Sequence, residues 1–252
     1  MSLPHFTRST RTLLIKLPIK FNYLSSRWTS EVSNIQITPI QRILLAFGSS
    51  AVALVDPFRD DMVAVSGEVM GQRSLKLMLK RMSSDAEGSQ ILADRCRINS
   101  KQIDLKHLES LPINTLGHQY IKFLKDNNIS CDTRKEVKFI DDPDLAYVMQ
   151  RYRETHDLVH LLLHMPTNML GEVVVKWIEA IQYDLPMCWG AAVFGAYRLK
   201  PKQRAKYLDT HLDWAIKAGK QSKYLINVYF EKRWTQDIDD LRQELNIPPP
   251  PS

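Results

Sequence analysis

The chain has 252 residues, 44% of them hydrophobic and 25% charged, with a mean hydropathy of −0.27. Such a chain makes one large globular domain or two small ones, and nine Gly with thirteen Pro are too few for a fibrous or low-complexity protein. The net charge of +6 is concentrated at one end: Arg8, Arg11, Lys16, Lys20 and Arg27 all precede the first acid, Glu31, and setting them aside leaves a near-neutral chain with no charge signal for nucleic acid.

Residues 1–30 combine those cations with frequent Ser and Thr and an apolar stripe at Leu13, Leu14, Leu17 and Phe21. That is the composition of a mitochondrial transit peptide, and basic residues interrupt any secretory apolar segment. Thr38-Pro39 reads as a cap followed by a helix-starting proline, opening a helix that Asp56-Pro57 ends. The uncharged stretch from Ile43 to Val55 falls short of the roughly 20 apolar residues a membrane span needs. Further helices are predicted from Ser66 through Met82, over Ala86 to Asp94, and over Thr115 to Asp126. Asp142-Pro143 starts a long one reaching about His164, and Pro166-Thr167 breaks the chain. Met169 to Gln182, Pro186 to Leu199, Pro201 to Ala218 and Lys223 to Trp234 follow, with a short helix around Leu241. The best alternating run, Lys135 to Ile140, lacks a hairpin partner. The expected fold is therefore all-α, a single helical domain over 31–247, with Pro248 to Pro251 a disordered tail.

Chemistry concentrates in Glu154-Thr155-His156-Asp157-Leu158-Val159-His160. On a helix His156 and His160 project from one face, with Asp157 nearby on the same arc. An antiparallel return after Pro166 brings Glu172 opposite the pair. Two imidazoles and two carboxylates without thiolate suit zinc, iron or manganese. Asp157 is either a ligand or the group that orients a histidine, and His164 is read as packing or support rather than a ligand. Cys96, Cys131 and Cys188 lie far apart with no CxxC pair, which argues against a disulfide framework. Dinucleotide fingerprints, phosphate loops and nucleophile elbows are missing from the sequence. The segment Met187 to Ala196 reads mainly as tight core packing, or as a channel wall for an apolar ligand. The run Arg198, Lys200, Lys202, Arg204 and Lys206 reads as a solvated helix start, or as a contact for anionic lipid headgroups.

These residues resemble the fourth Coq protein family of ubiquinone (coenzyme Q) biosynthesis. The family motif H-D-x-x-H, eleven residues, then E is met by His156, Asp157, His160 and Glu172. Separate blocks agree in order: Asp56 to Ala64, Leu116 to Tyr120, Asp142 to Tyr152, Leu185 to Cys188 and Asn227 to Glu231. Departures fall at Asn114, at Ala93 to Arg97 and at Tyr183-Asp184, where the family usually has Gly- or Pro-containing runs. The resemblance implies a peripheral protein on the matrix side of the mitochondrial inner membrane, working within a multi-subunit biosynthetic complex and open to homo-oligomer formation. It also implies a bound polyprenyl lipid and a divalent metal, usually zinc, at the four motif residues.

The activity implied is removal of the C1 carboxylate from a polyprenylated 4-hydroxy-3-methoxybenzoate, either alone or coupled to hydroxylation at C1 by a redox-active metal, with Asp157 and Glu172 as the catalytic carboxylates. The alternative is a non-catalytic, lipid-binding scaffold of the same complex.

Overall fold

The computed structural model describes residues 68–251, together with Thr38, Gln41 and Leu45. The expected transit peptide, and the helix expected up to Asp56 apart from these three residues, lie outside the described residues. Thr38 and Gln41 form a reciprocal cap: the Gln41 side chain accepts from the Thr38 amide, and Thr38 Oγ1 accepts from the Gln41 amide.

Ten α-helices follow: α1 (Gln72–Ser83), α2 (Ala86–Asp94), α3 (Leu105–Ser110), α4 (Leu116–Asp126), α5 (Pro143–Leu162), α6 (Met169–Tyr183), α7 (Pro186–Tyr197), α8 (Pro201–Lys206), α9 (Leu212–Gln221) and α10 (Ile238–Glu244). Among the described residues there is no strand, only an isolated bridge between Thr115 and Asp237. The all-helical reading is therefore correct. Side-chain caps explain the starts: Asp85, Thr115, Asp142, Asn168 and Asp237 each accept from backbone amides of the helix that follows.

Four expectations need correction. The predicted Lys223–Trp234 helix is instead a pair of 3₁₀ turns, Leu225–Asn227 and Phe230–Lys232, because its backbone and side chains serve other elements: Val228 O accepts from Arg151 and the Tyr229 amide donates to Glu87. The predicted Pro201–Ala218 helix is helical throughout, but its α-helical register is shifted by a π-helical turn, Tyr207–His211, between α8 and α9. The Pro-rich tail is tied back, since the Trp214 indole donates to the Pro249 carbonyl at 2.6 Å. In α7 only Cys188 and Ala192 are buried, while Trp189, Val193, Phe194 and Tyr197 face outward, so this segment is not chiefly core. The short helix α3, capped by Asp104, has no sequence-level counterpart above.

The departures at Arg95 and Asp184 coincide with left-handed backbone, φ 52° and 53°, where α2 and α6 end. Asp tolerates that region better than most residues. Asp184 also anchors neighbours there, accepting from Ser74 through its carbonyl and from Trp189 through its carboxylate.

The helix α5 is the axis of the molecule, and every residue from Leu145 to Leu162 on it is buried. One apolar core joins its C-terminal half to α4, α6 and α9, through Leu158, Leu162, Tyr120, Val174 and Ala215. A second joins its N-terminal half to α1 and α2, through Leu145, Met149, Leu75 and Ile91. Polar α5 side chains have dedicated partners: Glu154 takes Arg97 at 2.7 Å and the Ile98 amide, Arg153 takes Glu68 at 2.7 Å, and Arg151 takes Glu231 and the Val228 carbonyl. Buried charges survive only when paired in this way.

Candidate metal centre

The turn between α5 and α6 builds the site. His164 adopts φ 53°, the Met165 amide donates to the His160 carbonyl at 3.0 Å and the His164 amide to Leu161, a Schellman ending that reverses the chain. Its exposed position in that turn keeps His164 out of the cluster. Pro166 and Asn168 follow, and Asn168 caps α6 through the Gly171 amide at 3.1 Å. A Cβ on Gly171 would stand 1.8 Å from the Pro166 carbonyl oxygen. Only glycine lets the first turn of α6 pack this close, and that approach sets the next residue, Glu172, against the two histidines.

Glu172 Oε2 lies 3.4 Å from His156 Nε2, and Oε1 lies 3.3 Å from His160 Nε2. The two imidazoles meet edge to face, with ring centroids 4.7 Å apart. One donor atom from each residue falls within 4.8 Å of the other two. Each of the two nitrogen–oxygen separations, measured to a different oxygen of Glu172, matches the edge of roughly 3.3 Å that a tetrahedral ion with bonds near 2.0 Å requires of its ligands. His160 is 1% exposed and Glu172 39%, so the cluster is closed behind and open on the carboxylate side.

The outer nitrogens fix the tautomers. His156 Nδ1 is 2.6 Å from Glu179 Oε1, and His160 Nδ1 is 3.2 Å from the Met165 carbonyl. A carboxylate and a carbonyl only accept, so each ring donates from Nδ1 and turns the lone pair of Nε2 toward Glu172. The buried His160 Nε2 makes no hydrogen bond despite its proximity to Glu172. Lone pairs of two nitrogens and a carboxylate facing one another repel unless a cation stands between them. These residues thus fit a divalent ion: three protein donors with an open side, and each histidine braced from behind.

Charge follows the same pattern. Burial works to raise the Glu172 carboxyl, but the closeness of the His156 and His160 imidazoles prevails and holds it far below its usual range. Burial and the Lys176 charge work to lower His156, yet Glu179 and Glu172 outweigh them and raise it.

The structure brings His156, His160 and Glu172 together, and places Asp157 elsewhere. The Asp157 carboxylate, also buried, is paired with the Arg134 guanidinium and is not among the clustered donors. Arg134, from the loop after the Cys131–Thr133 turn, is 31% exposed and its Nε has no partner; burial works to lower its pKa, but the Asp157 carboxylate, with Glu172 behind it, raises it. Glu179 escapes the motif reading altogether. It sits on α6 seven residues after Glu172, two helical turns along the same face, with Lys176 between them. That spacing is the sequence signal that locates it.

A family model described as coenzyme Q (ubiquinone) biosynthesis protein Coq4 matches residues 32–251. The chain is similar to the ubiquinone biosynthesis protein COQ4 homolog, mitochondrial, of Drosophila grimshawi, 58% identical over 213 residues, 84% of this chain and 81% of that one. The protein of the same name from Anopheles gambiae is 54% identical over 215 residues, 85% of this chain and 76% of that one. A crystal structure from Nostoc punctiforme PCC 73102 shares the fold with a TM-score of 0.65 at 19% identity, covering 84% of this chain and 99% of that one.

Proposed function

Because this chain belongs to the Coq4 family of coenzyme Q (ubiquinone) biosynthesis proteins, we propose that it acts in mitochondrial ubiquinone biosynthesis as a metal-dependent carboxy-lyase on a polyprenylated 4-hydroxy-3-methoxybenzoate. The observation that carries this reading is the trio of donor atoms, two Nε2 and one carboxylate at 3.3–3.4 Å, with both Nδ1–H groups committed elsewhere. His156, His160 and Glu172 would hold the ion, with zinc first and iron or manganese suiting the same donors. When bound, the ion supplies Lewis-acid polarisation of a carboxylate or water oxygen.

The reaction balances without an oxidant: an aromatic carboxylate and one proton give a ring C–H and carbon dioxide. The substrate's para-hydroxyl drives electron density to C1, the proton adds there, and the electrons of the breaking C1–carboxyl bond return to the ring. The chain's part is to bind, orient and shield. Glu179 and the Met165 carbonyl hold the imidazoles, while Phe123, 6.4 Å from His160 between ring centroids, walls the site from behind. Asp157 keeps the Arg134 guanidinium at the edge, a counter-charge for an anionic ring. Glu172 marks the side from which substrate enters. Purified full-length chain of known metal content, given the polyprenyl benzoate, should release carbon dioxide. Full turnover by His156→Ala would overturn the assignment, and elemental analysis separates Lewis-acid from redox chemistry.

A second role is favoured by the outer face of α7. Trp189, Val193, Phe194 and Tyr197, 37% to 75% exposed, are followed in the chain by the exposed cations Lys200, Lys202, Arg204 and Lys206 and by exposed Leu208, and Arg204 donates to the Tyr197 carbonyl. No described helix is long and apolar enough to cross a membrane. An apolar face rimmed by cations suits peripheral binding to an anionic bilayer, here the matrix side of the inner membrane, and with it the lipid-binding scaffold role. Pull-downs of the biosynthetic partners discriminate: motif variants that keep the assembly and lose product support the enzyme, and variants that lose the assembly support the scaffold.

A further inference from the structure

We propose that Glu179, clamped by Lys176 and Tyr152, is a positioning residue for the metal centre: it locks His156 as a ligand through Nε2, and the affinity of the site depends on it. This rests on the metal reading given above. Glu179 is 1% exposed, and both its oxygens are engaged. Oε1 takes His156 Nδ1 at 2.6 Å. Oε2 takes Lys176 Nζ at 2.7 Å and the Tyr152 hydroxyl at 2.9 Å, with the Cys188 thiol 3.8 Å away. Lys176 also donates to the Tyr152 oxygen at 3.0 Å. The carboxylate therefore cannot swing: one oxygen is held by a cation and a phenol from α6 and α5, which leaves the other a single direction, toward His156. The cation also balances the carboxylate, so the pair carries no net charge into the interior.

The two histidines are consequently unequal. His160 is braced by a neutral carbonyl and His156 by a carboxylate, and a charged acceptor behind an imidazole makes Nε2 the more basic donor. The network reaches the ion only through His156. Glu179 touches neither Glu172 nor His160, so its loss should weaken binding without removing a ligand.

The test uses the full chain stripped with a chelator and titrated with Co²⁺, whose visible absorption reports ligand number and geometry. Wild type is expected to take up one equivalent. Glu179→Gln should bind about 10- to 100-fold more weakly, with a shifted cobalt spectrum and an unchanged far-ultraviolet circular dichroism signal. Tyr152→Phe, which removes one clamp and keeps the carboxylate, should bind more weakly than wild type and less weakly than Glu179→Gln. Wild-type affinity and an unaltered spectrum in Glu179→Gln would refute the positioning role while leaving the metal reading intact. If Glu179→Gln does not fold, Tyr152→Phe decides, and unchanged affinity there refutes the proposal. Failure of wild type to bind cobalt would remove the metal reading first, a different result from either of these.

Discussion

The close approach at Gly171 sets two effects of opposite sign against each other. Gly171 is the third residue of α6, where an alanine would gain about 1 kcal/mol of helix propensity. Its Cβ, however, would stand 1.8 Å from the Pro166 carbonyl oxygen, about 1.5 Å inside an ordinary C···O contact of roughly 3.3 Å. The obstacle is backbone in a capped turn, so a rotamer change cannot relieve it. Overpacking of this kind costs about 1–3 kcal/mol, which matches or exceeds the propensity gain. Gly171→Ala should therefore lower metal-free stability by up to about 2 kcal/mol, read by urea denaturation. Relief requires α6 to withdraw from the turn. Glu172 then recedes from its 3.3–3.4 Å positions by a comparable distance, beyond the span that one ion bridges. Cobalt affinity should fall at least tenfold, toward that of Glu172→Ala. A Gly171→Ala variant as stable as wild type, with wild-type cobalt affinity, would refute the link between this contact and the site.

Asp157→Asn should retain cobalt binding, because the carboxylate serves Arg134, while His160→Ala should lose it; equal loss in both would return Asp157 to the ligand set. The same Asp157→Asn change leaves a half-buried guanidinium without its counter-charge and should lower stability by about 1–3 kcal/mol, measured by urea denaturation. Acid should unfold the metal-free chain progressively. Glu172 and Glu179 are both held below their ordinary value of 4.5, so their contribution is complete above that pH and declines as pH falls below it, a trend that denaturation midpoints across the acid range would reveal. Cobalt affinity should fall as the medium is acidified through the imidazole range, since His156, raised above 6.5, must yield its extra proton to bind; a flat profile between pH 8 and about 6 would contradict that. Flotation with cardiolipin-containing vesicles should be salt-sensitive and should weaken when Phe194 and Tyr197 are both changed to Ser, and insensitivity to both changes would remove α7 as the contact.

Much of the architecture was legible because local signals coincide with the structure's own devices. Asp142-Pro143 begins α5 through a side-chain cap and a proline at the first turn, and Asn128 with φ 53° follows α4 where Asn127-Asn128 marks its end. The histidine pair was readable from spacing alone, since i and i+4 share a face whatever the tertiary context. Glu172 needed the chain reversal, which Pro166 announces. Asp157 marks where spacing stops being informative. It lies on the same arc as the histidines, but its partner, Arg134, comes from an irregular loop that no periodicity describes. Glu179 leaves a fainter trace: on an apolar helix rich in Val173, Val174, Val175 and Ile178, its spacing from Glu172 and Lys176 marks a shared face, but only the packing of α5 beside that face shows that it meets His156. The Leu225–Asn227 and Phe230–Lys232 turns defeat helix prediction because backbone groups there are claimed by Arg151 and Glu87 from distant elements.

A helix buried on every side poses a problem that apolar packing alone does not solve. When residues all the way round α5 lie in the interior, rotation about its axis exchanges one buried surface for another, and the hydrophobic term barely distinguishes the orientations. Directional groups do distinguish them. Arg151 to Glu231 and Glu154 to Arg97 leave from one side of the helix, Arg153 to Glu68 and Asp157 to Arg134 from another, and all four meet partners from different parts of the chain. Buried pairs of this sort add little net stability compared with apolar replacements, but a wrong rotation would strand each charge at a cost of several kcal/mol. They act as angular stops. The same rotation decides whether His156 and His160 face Glu172, and the carboxylate and carbonyl behind the two rings then set each imidazole within that frame. The polar residues that α5 carries into the core are the means by which the centre acquires its geometry.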